Sequence, residues 1–340
     1  MALNVEVEPS PNWNHEKKLF LEPYDYITSR TGKQIRTRLI RAFNEWLQVP
    51  EEVLVKIGEI IELLHNSSIL IDDIEDDSTL RRGIPVAHNV YGLATTINCA
   101  NYIYFLALHK IITELPHDEV TEAVKIYTQQ MLELHRGQGL EIYWRDSFVC
   151  PSEAEYTEMI SLKTGGLFGL GVKLMQLFSK NKQDLTQMIF LLGVIFQIRD
   201  DYNNLTSREY SENKSYCEDL SEGKFSFPVV HAIKSYPDKT TIANIVRKRP
   251  KESGMKKLAV DVLEELGSFK YTRETLERYD KQAREECEKL GGNDLVMKVL
   301  EFLKIKPEKK PKKKSKKREP EPESESEEDE EEKASSSGLF

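Results

Sequence analysis

Cysteine is scarce in this chain of 340 residues: there are four, Cys99, Cys150, Cys217 and Cys287, and no two form a Cys-x-x-Cys pair. That spacing excludes a zinc ribbon, a dithiol redox centre and a dense disulfide framework, and it predicts a reducing compartment. Long apolar runs are missing as well. The longest, Met188–Phe196, has nine residues, about half of the roughly 20 that a membrane-spanning helix needs. Basic charge is not in excess: 48 Lys+Arg stand against 57 Asp+Glu, a net charge of −9, so a nucleic-acid backbone is excluded as the main ligand. The first 13 residues carry no basic-then-apolar signal pattern. The sequons at Asn66, Asn204 and Asn213 are therefore read as accidental. The last residues offer no Cys for prenylation. Gly169-Leu170-Gly171 lacks the third glycine of a dinucleotide fingerprint, Gly166–Lys173 is no P-loop, and no HExxH occurs. These absences describe a soluble, cytoplasmic protein with no redox, nucleotide or zinc-hydrolase signature.

Helical periodicity fills the space that remains. No stretch alternates apolar and polar residues between hairpin turns, which argues against sheet. Prolines at 23, 50, 85, 116, 151, 228, 237 and 250 mark off long intervals. Within Glu51–Asp76 the apolar residues Val53, Leu54, Ile57, Ile60, Ile61 and Leu64 form the stripe of a helix with one buried face. Asp118–Trp144 is a second such interval. Pro151-Ser152-Glu153-Ala154-Glu155 predicts a capping box, the Ser three residues ahead of a Glu. Met188–Asn204 is apolar nearly all round until its end, as a central helix should be. The fold class is all-α, a bundle of long helices.

At about Lys306 the composition changes. Lys306–Phe340 holds ten basic and eleven acidic side chains in blocks of opposite sign, with almost no apolar residues. Such a segment cannot offset its ordering entropy and is expected to be disordered. The domain reading is a flexible 1–12, a folded 13–305 and a charged tail over 306–340. The tail reads as a solubilising polyampholyte, with nuclear import or weak membrane-surface association through its Lys309–Arg318 block as the other readings. Ser324 and Ser326 sit in acidic contexts typical of kinase sites.

The most informative segment is His65–Asp77. It sets Asp72, Asp73, Glu75, Asp76 and Asp77 at the end of an otherwise apolar helix. Like charges at i, i+4 repel, and a helix C-terminus disfavours anions further. Asp72 and Asp76 share one face, with Ser68 and His65 below them. Two readings stand: a solvated acidic helix end, or a carboxylate pair one turn apart that holds Mg²⁺. A second cluster favours the metal. Gln197, Asp200, Asp201 and Asn204 recur at i, i+3, i+4, i+7 at the end of the most apolar helix. Two aspartate faces form a clamp that holds a diphosphate only with divalent cations between. Lys33, Arg36, Arg81, Arg82, Lys163, Lys214 and Lys224 add basic groups for a second, directly gripped diphosphate.

LLHNSSILIDDIEDDSTLRRGIPVAHNVYG, KTGGLFGL, FQIRDDYNNL and CEDLSEGKFSFP resemble the trans-isoprenyl diphosphate synthases, with most similarity to animal-type geranylgeranyl diphosphate synthases. The resemblance runs from about Trp13 to Leu303. It implies an isoprenoid-synthase bundle of long antiparallel helices around a central cavity, and a homo-oligomer. It implies Mg²⁺ held by Asp72, Asp73, Asp76, Asp200 and Asp201. Asn204 stands where farnesyl-type relatives carry a third Asp, which puts its metal role in doubt. Arg81, Lys163, Thr164, Gln197, Lys214 and Lys224 would contact the allylic diphosphate, and Lys33, Arg36, His65 and Arg82 that of isopentenyl diphosphate. Ser67 and Ser68, one turn below Asp72, would leave the hydrocarbon pocket open past C15. Tyr104, Phe105 and His135 are candidates for its floor or for ordinary packed core. The implied activity is a prenyltransferase making geranylgeranyl diphosphate (C20), with no protein base assigned. The rivals are a farnesyl (C15) synthase, a terpene synthase derived from the family, and a non-catalytic partner subunit.

Overall fold

The computed structural model describes residues 13–30, 35–207 and 215–305. The chain separates into two units, Met1–Ile305 and Lys306–Phe340, and every described residue belongs to the first. Residues 1–12 and the tail, with its Lys309–Arg318 block, Ser324 and Ser326, lie outside the described residues.

Among the described residues the fold is carried by fourteen α-helices, one 3₁₀ turn (His117–Glu119) and one two-stranded ribbon. The first three helices are α1 (Trp13–Thr28), α2 (Ile35–Leu47) and α3 (Glu51–Glu75). The Val53–Leu64 stripe of α3 is buried as its spacing predicts, and Pro50 stands at its N-cap, where a missing N–H is harmless. Pro23 departs from the pattern, lying inside α1 and buried there. The helix continues through it although one backbone donor is absent. Ile27, Leu21 and Tyr24 on either side pack into a small core with Leu70, Cys99 and Ile103.

The ribbon β1 (Leu80–Arg81) and β2 (Ile84–Pro85) pairs Leu80 with Pro85 and Arg81 with Ile84. Its turn residues, Arg82 (φ 55°) and Gly83 (φ 77°), both have positive φ, the two-residue hairpin form whose twist suits antiparallel strands. Arg81 and Arg82 therefore leave the chain in different directions. After α4 (Ala87–Tyr91) come the long helices α5 (Leu93–Glu114), α6 (Val120–Ser147), α7 (Glu153–Phe178) and α8 (Thr186–Thr206). Ser152 and Glu155 close the predicted capping box on α7.

Helix α7 packs between α6 and α8 and also touches α2 and α3, and α3 lies against α5. Gly165 and Gly193 bring α7 and α8 together: a Cβ added at Gly193 would lie 3.6 Å from Gly165. Six further helices follow among the described residues: α9 (Glu218–Glu222), α10 (Phe227–Ser235), α11 (Thr241–Arg247), α12 (Ser253–Glu265), α13 (Ser268–Lys289) and α14 (Asp294–Leu303). Of these, α13 covers α8, and α14 covers α2. The sequons Asn66 and Asn204 are buried, which leaves no room for a glycan, and Asn213 lies outside the described residues. No described helix is long and apolar enough to cross a membrane.

Candidate active site

The C-terminal end of α3 presents the first aspartate cluster. Arg81, thrown inward by the ribbon, donates from Nε to Asp73 Oδ1 at 2.6 Å and from Nη2 to Asp72 Oδ2 at 3.3 Å. Burial alone would lower the pKa of this guanidinium, but Asp73 and Asp72 raise it, so it stays charged. Arg145 on α6 donates from Nη1 to Asp76 Oδ1 at 2.8 Å. Even so, burial and the Asp72 carboxylate push the Asp76 carboxyl up to about 7. Glu75 is raised by burial and by Asp72, while its hydrogen bond from Gln138 (2.7 Å) acts the other way.

The second cluster forms the end of α8. Asp201, only 1% exposed, is surrounded by donors. It accepts from the Tyr156 hydroxyl, from Gln197 Nε2 (3.0 Å) and from the Phe227 amide (2.8 Å), with Lys224 Nζ 3.6 Å away. A carboxylate has about four lone-pair sites, so Asp201 is close to saturated by protein groups and fixes α7, α8 and α10 to one another. Asp200, half-buried, is its neighbour at the helix end. Thr164 Oγ1 donates to Gln197 Oε1 at 3.1 Å, which orients that amide. Asn204 is buried, and its Oδ1 accepts from the Asp219 amide at 3.2 Å, tying down the start of α9.

Lysines and one further acid link the two clusters. Lys163 Nζ lies 3.4 Å from Asp72 Oδ1 and donates to Glu141 Oε2. Lys224 Nζ lies 3.5 Å from Glu141 Oε1 and 3.6 Å from Asp201 Oδ1. The series Asp72, Lys163, Glu141, Lys224, Asp201 alternates in charge from one wall to the other. Desolvation would raise the Glu141 pKa, but Lys163 and Lys224 hold the carboxyl down to about 2. Desolvation would neutralise either lysine, and Glu141 is the foremost carboxylate keeping each of them charged. A Cβ added at Gly137 on α6 would stand 2.5 Å from the Lys163 backbone nitrogen, so the bare glycine sets the close approach of α6 and α7 here.

Of the residues assigned by resemblance to isopentenyl diphosphate, Lys33 and the Arg36 side chain lie outside the described residues, as does Lys214 from the allylic set. Arg82 donates to Ile27 O (3.0 Å), Arg30 O (2.7 Å) and Asn66 Oδ1 (3.1 Å), bracing the end of α1 against α3 beside His65. Five guanidinium N–H groups exceed these three bonds, so donors remain for an anion. Below Asp72, Ser67 is fully buried and donates to Ala100 O (2.7 Å), and Ser68 donates to His65 O (2.9 Å). Tyr104 and His135 meet edge-to-face, ring centres 5.8 Å apart. Phe105 does not join them; it is 71% exposed on the outer side of α5.

Glu141, Arg145 and Tyr156 carry no signal in the sequence that marks them as site residues. Glu141 and Arg145 stand four apart on α6 and read as an ordinary surface i, i+4 pair. Tyr156 reads as core, and nothing in its neighbours signals a buried carboxylate partner.

Among the described residues no three His, Cys, Asp or Glu side chains converge on one point as a ready-made metal cage. Mg²⁺ does not need one. It binds through one or two carboxylates and completes its shell with water and phosphate oxygen. Hard oxygen donors on both walls, and an Asp76 carboxyl raised by burial and by the neighbouring Asp72, fit such an ion.

The polyprenyl synthetase family profile matches residues 17–263. A terpene synthase of Matsumurasca onukii is 56% identical over 283 residues, 83% of this chain and 92% of that protein. A geranylgeranyl pyrophosphate synthase of Mucor circinelloides f. lusitanicus is 46% identical over 288 residues, 85% of this chain and 94% of that protein. Another, of Penicillium canescens, is 48% identical over 297 residues, 86% of this chain and 87% of that protein. With its helical fold and paired aspartate walls, the chain belongs to the polyprenyl synthetase family of trans-isoprenyl diphosphate synthases.

Proposed function

We propose that this protein condenses isopentenyl diphosphate with an allylic diphosphate to make geranylgeranyl diphosphate. The observation that carries the reading is the alternating-charge series joining the two aspartate walls, a frame fitted to an anionic group between them. Relatives named for geranylgeranyl pyrophosphate synthesis support the product class. Asp72, Asp76 and Asp200 would hold Mg²⁺, with Asp201 holding the α8 end in place. The bound ions supply positive charge to the departing diphosphate. Arg81, Lys163 and Lys224 add their own charge around its oxygens, in a buried site where such charge acts strongly. As the carbon–oxygen bond breaks, the allylic cation is attacked by the double bond of isopentenyl diphosphate, whose own diphosphate His65 and Arg82 hold. The proton lost from the new C–C product goes to the released diphosphate, so no side chain serves as base.

The product descends past Ser68 toward Tyr104 and His135. Its length is set there rather than at the outward-facing Phe105. The assembly we assign is a homo-oligomer, and exposed Leu93, Ile97, Phe105 and Ile112 on α5 supply a surface for a second copy. Free cysteines, most of them buried, suit a reducing compartment, and we place the protein in the cytoplasm.

Purified protein supplied with labelled isopentenyl diphosphate and farnesyl diphosphate tests the reading. Mg²⁺-dependent label in a C20 diphosphate supports it. The terpene synthase relative favours one alternative, release of a diphosphate-free terpene from the allylic substrate alone. That product, formed without isopentenyl diphosphate, would replace the condensation reading.

A further inference from the structure

Glu141 belongs to neither aspartate cluster, yet it stands between them. Its two oxygens are divided between two ammonium groups that arrive from separate parts of the fold. Lys163, on α7, donates to Oε2, and Lys224, on the connection from α9 to α10, faces Oε1 at 3.5 Å. Each lysine reaches one wall as well, Asp72 at 3.4 Å and Asp201 at 3.6 Å. Two cations this close repel, and long lysine side chains relieve repulsion by turning outward to water. A carboxylate between them removes that incentive. The local backbone is built for this reach: Gly137, one turn before Glu141 on α6, admits the α7 backbone at Lys163 itself. Arg145, one turn after, is engaged with Asp76 and Asp146 and leaves Glu141 to the lysines.

We propose that Glu141 is a positioning residue for the allylic diphosphate, holding Lys163 and Lys224 side by side between the aspartate walls until the diphosphate takes them over. The assignment rests on the condensation reading above. Before substrate arrives, Glu141 keeps the two ammoniums inside the site. When a diphosphate enters, its oxygens offer more negative charge than one carboxylate, and the lysines move to it over a short distance. Isopentenyl diphosphate, gripped from the α1 and ribbon side, gains nothing from Glu141. The effect therefore falls on one substrate of the two.

Glu141→Gln keeps the size and removes the charge, and Glu141→Asp keeps the charge. In each variant and in the native protein, KM is measured separately for farnesyl and isopentenyl diphosphate. Calorimetry measures binding of inorganic diphosphate with Mg²⁺, and melting temperature reports folding. E141Q should raise the farnesyl diphosphate KM and weaken diphosphate binding by about tenfold, the order expected when one charge-assisted hydrogen bond is removed. The isopentenyl diphosphate KM should stay put, and E141D should restore part of the affinity. Unchanged farnesyl KM and diphosphate binding in E141Q, beside an active native protein, would overturn the assignment alone. So would a rise in both KM values together with a fall in melting temperature, since that describes mere loss of structure. A native protein that neither binds diphosphate nor makes product overturns the functional reading and this assignment with it.

Discussion

At Asp76, in the function proposed above, a proton and a magnesium ion would compete for the same oxygens. Burial and Asp72 raise its carboxyl from an ordinary value near 3.8 to about 7 in the folded protein. A carboxyl raised on folding stabilises the fold while protonated, and that contribution is lost as pH rises through the folded value. Between about pH 4 and 7 the metal-free protein should therefore lose the Asp76 contribution as pH rises, and Mg²⁺ should restore it. Melting temperatures should show a larger Mg²⁺-induced rise at pH 8 than at pH 6, and Asp76→Asn should flatten the difference. Glu141 does not interfere, because its depressed carboxyl gives up its contribution only below about pH 4.5, toward 2. An equal Mg²⁺ shift at both pH values would contradict the raised carboxyl. Four residues earlier on the same face as Asp72, Ser68 would leave space for hydrocarbon in the proposed condensation. Ser68→Phe should move the product from C20 toward C15 in a product-length assay. An unchanged C20 yield at normal turnover would remove Ser68 from the pocket wall.

Among the helices, close approach is set residue by residue. Gly137→Ala would press a methyl group against the Lys163 backbone and should destabilise the protein by about 1–3 kcal/mol in urea unfolding, the usual cost of overpacking. Gly139→Ala, two residues on, meets nothing within 4 Å. It should stabilise by about 0.5–1 kcal/mol, the helix-propensity gain. Equal effects at the two positions would count against the tight packing of α6 on α7. The long helices are legible in the sequence because their stripes and prolines are local signals: α3, α8 and the Ser152–Glu155 box follow the chain pattern closely. The ribbon is not, since two-residue strands carry no periodicity. Pro23 misleads because a helix tolerates an internal proline when tertiary packing holds the flanking residues. The aspartates can be read as a cluster from spacing alone. The partners that organise them, Glu141, Arg145 and Tyr156, come from other helices and meet them only through the packing of α3, α6, α7 and α8.

For the molecule as a whole, the site lies where helices that are distant in sequence bring acid walls and cations together, and the outer side of α5 remains apolar. Light scattering on the purified protein should show a homo-oligomer. Phe105→Glu, which puts a charge on that exposed apolar surface, should shift the population to monomer. A monomeric native protein would remove α5 as an interface. The central claim is that carboxylates from two helices hold an allylic diphosphate through shared divalent ions. The most direct measurement is equilibrium binding of farnesyl thiodiphosphate, an unreactive analogue, to the native protein and to Asp72→Asn and Asp200→Asn variants, with Mg²⁺ and with chelator. Tight binding only with Mg²⁺, weakened at least about tenfold by loss of either wall, is the predicted result. Equally tight binding in chelator, or binding indifferent to both aspartates, would contradict it.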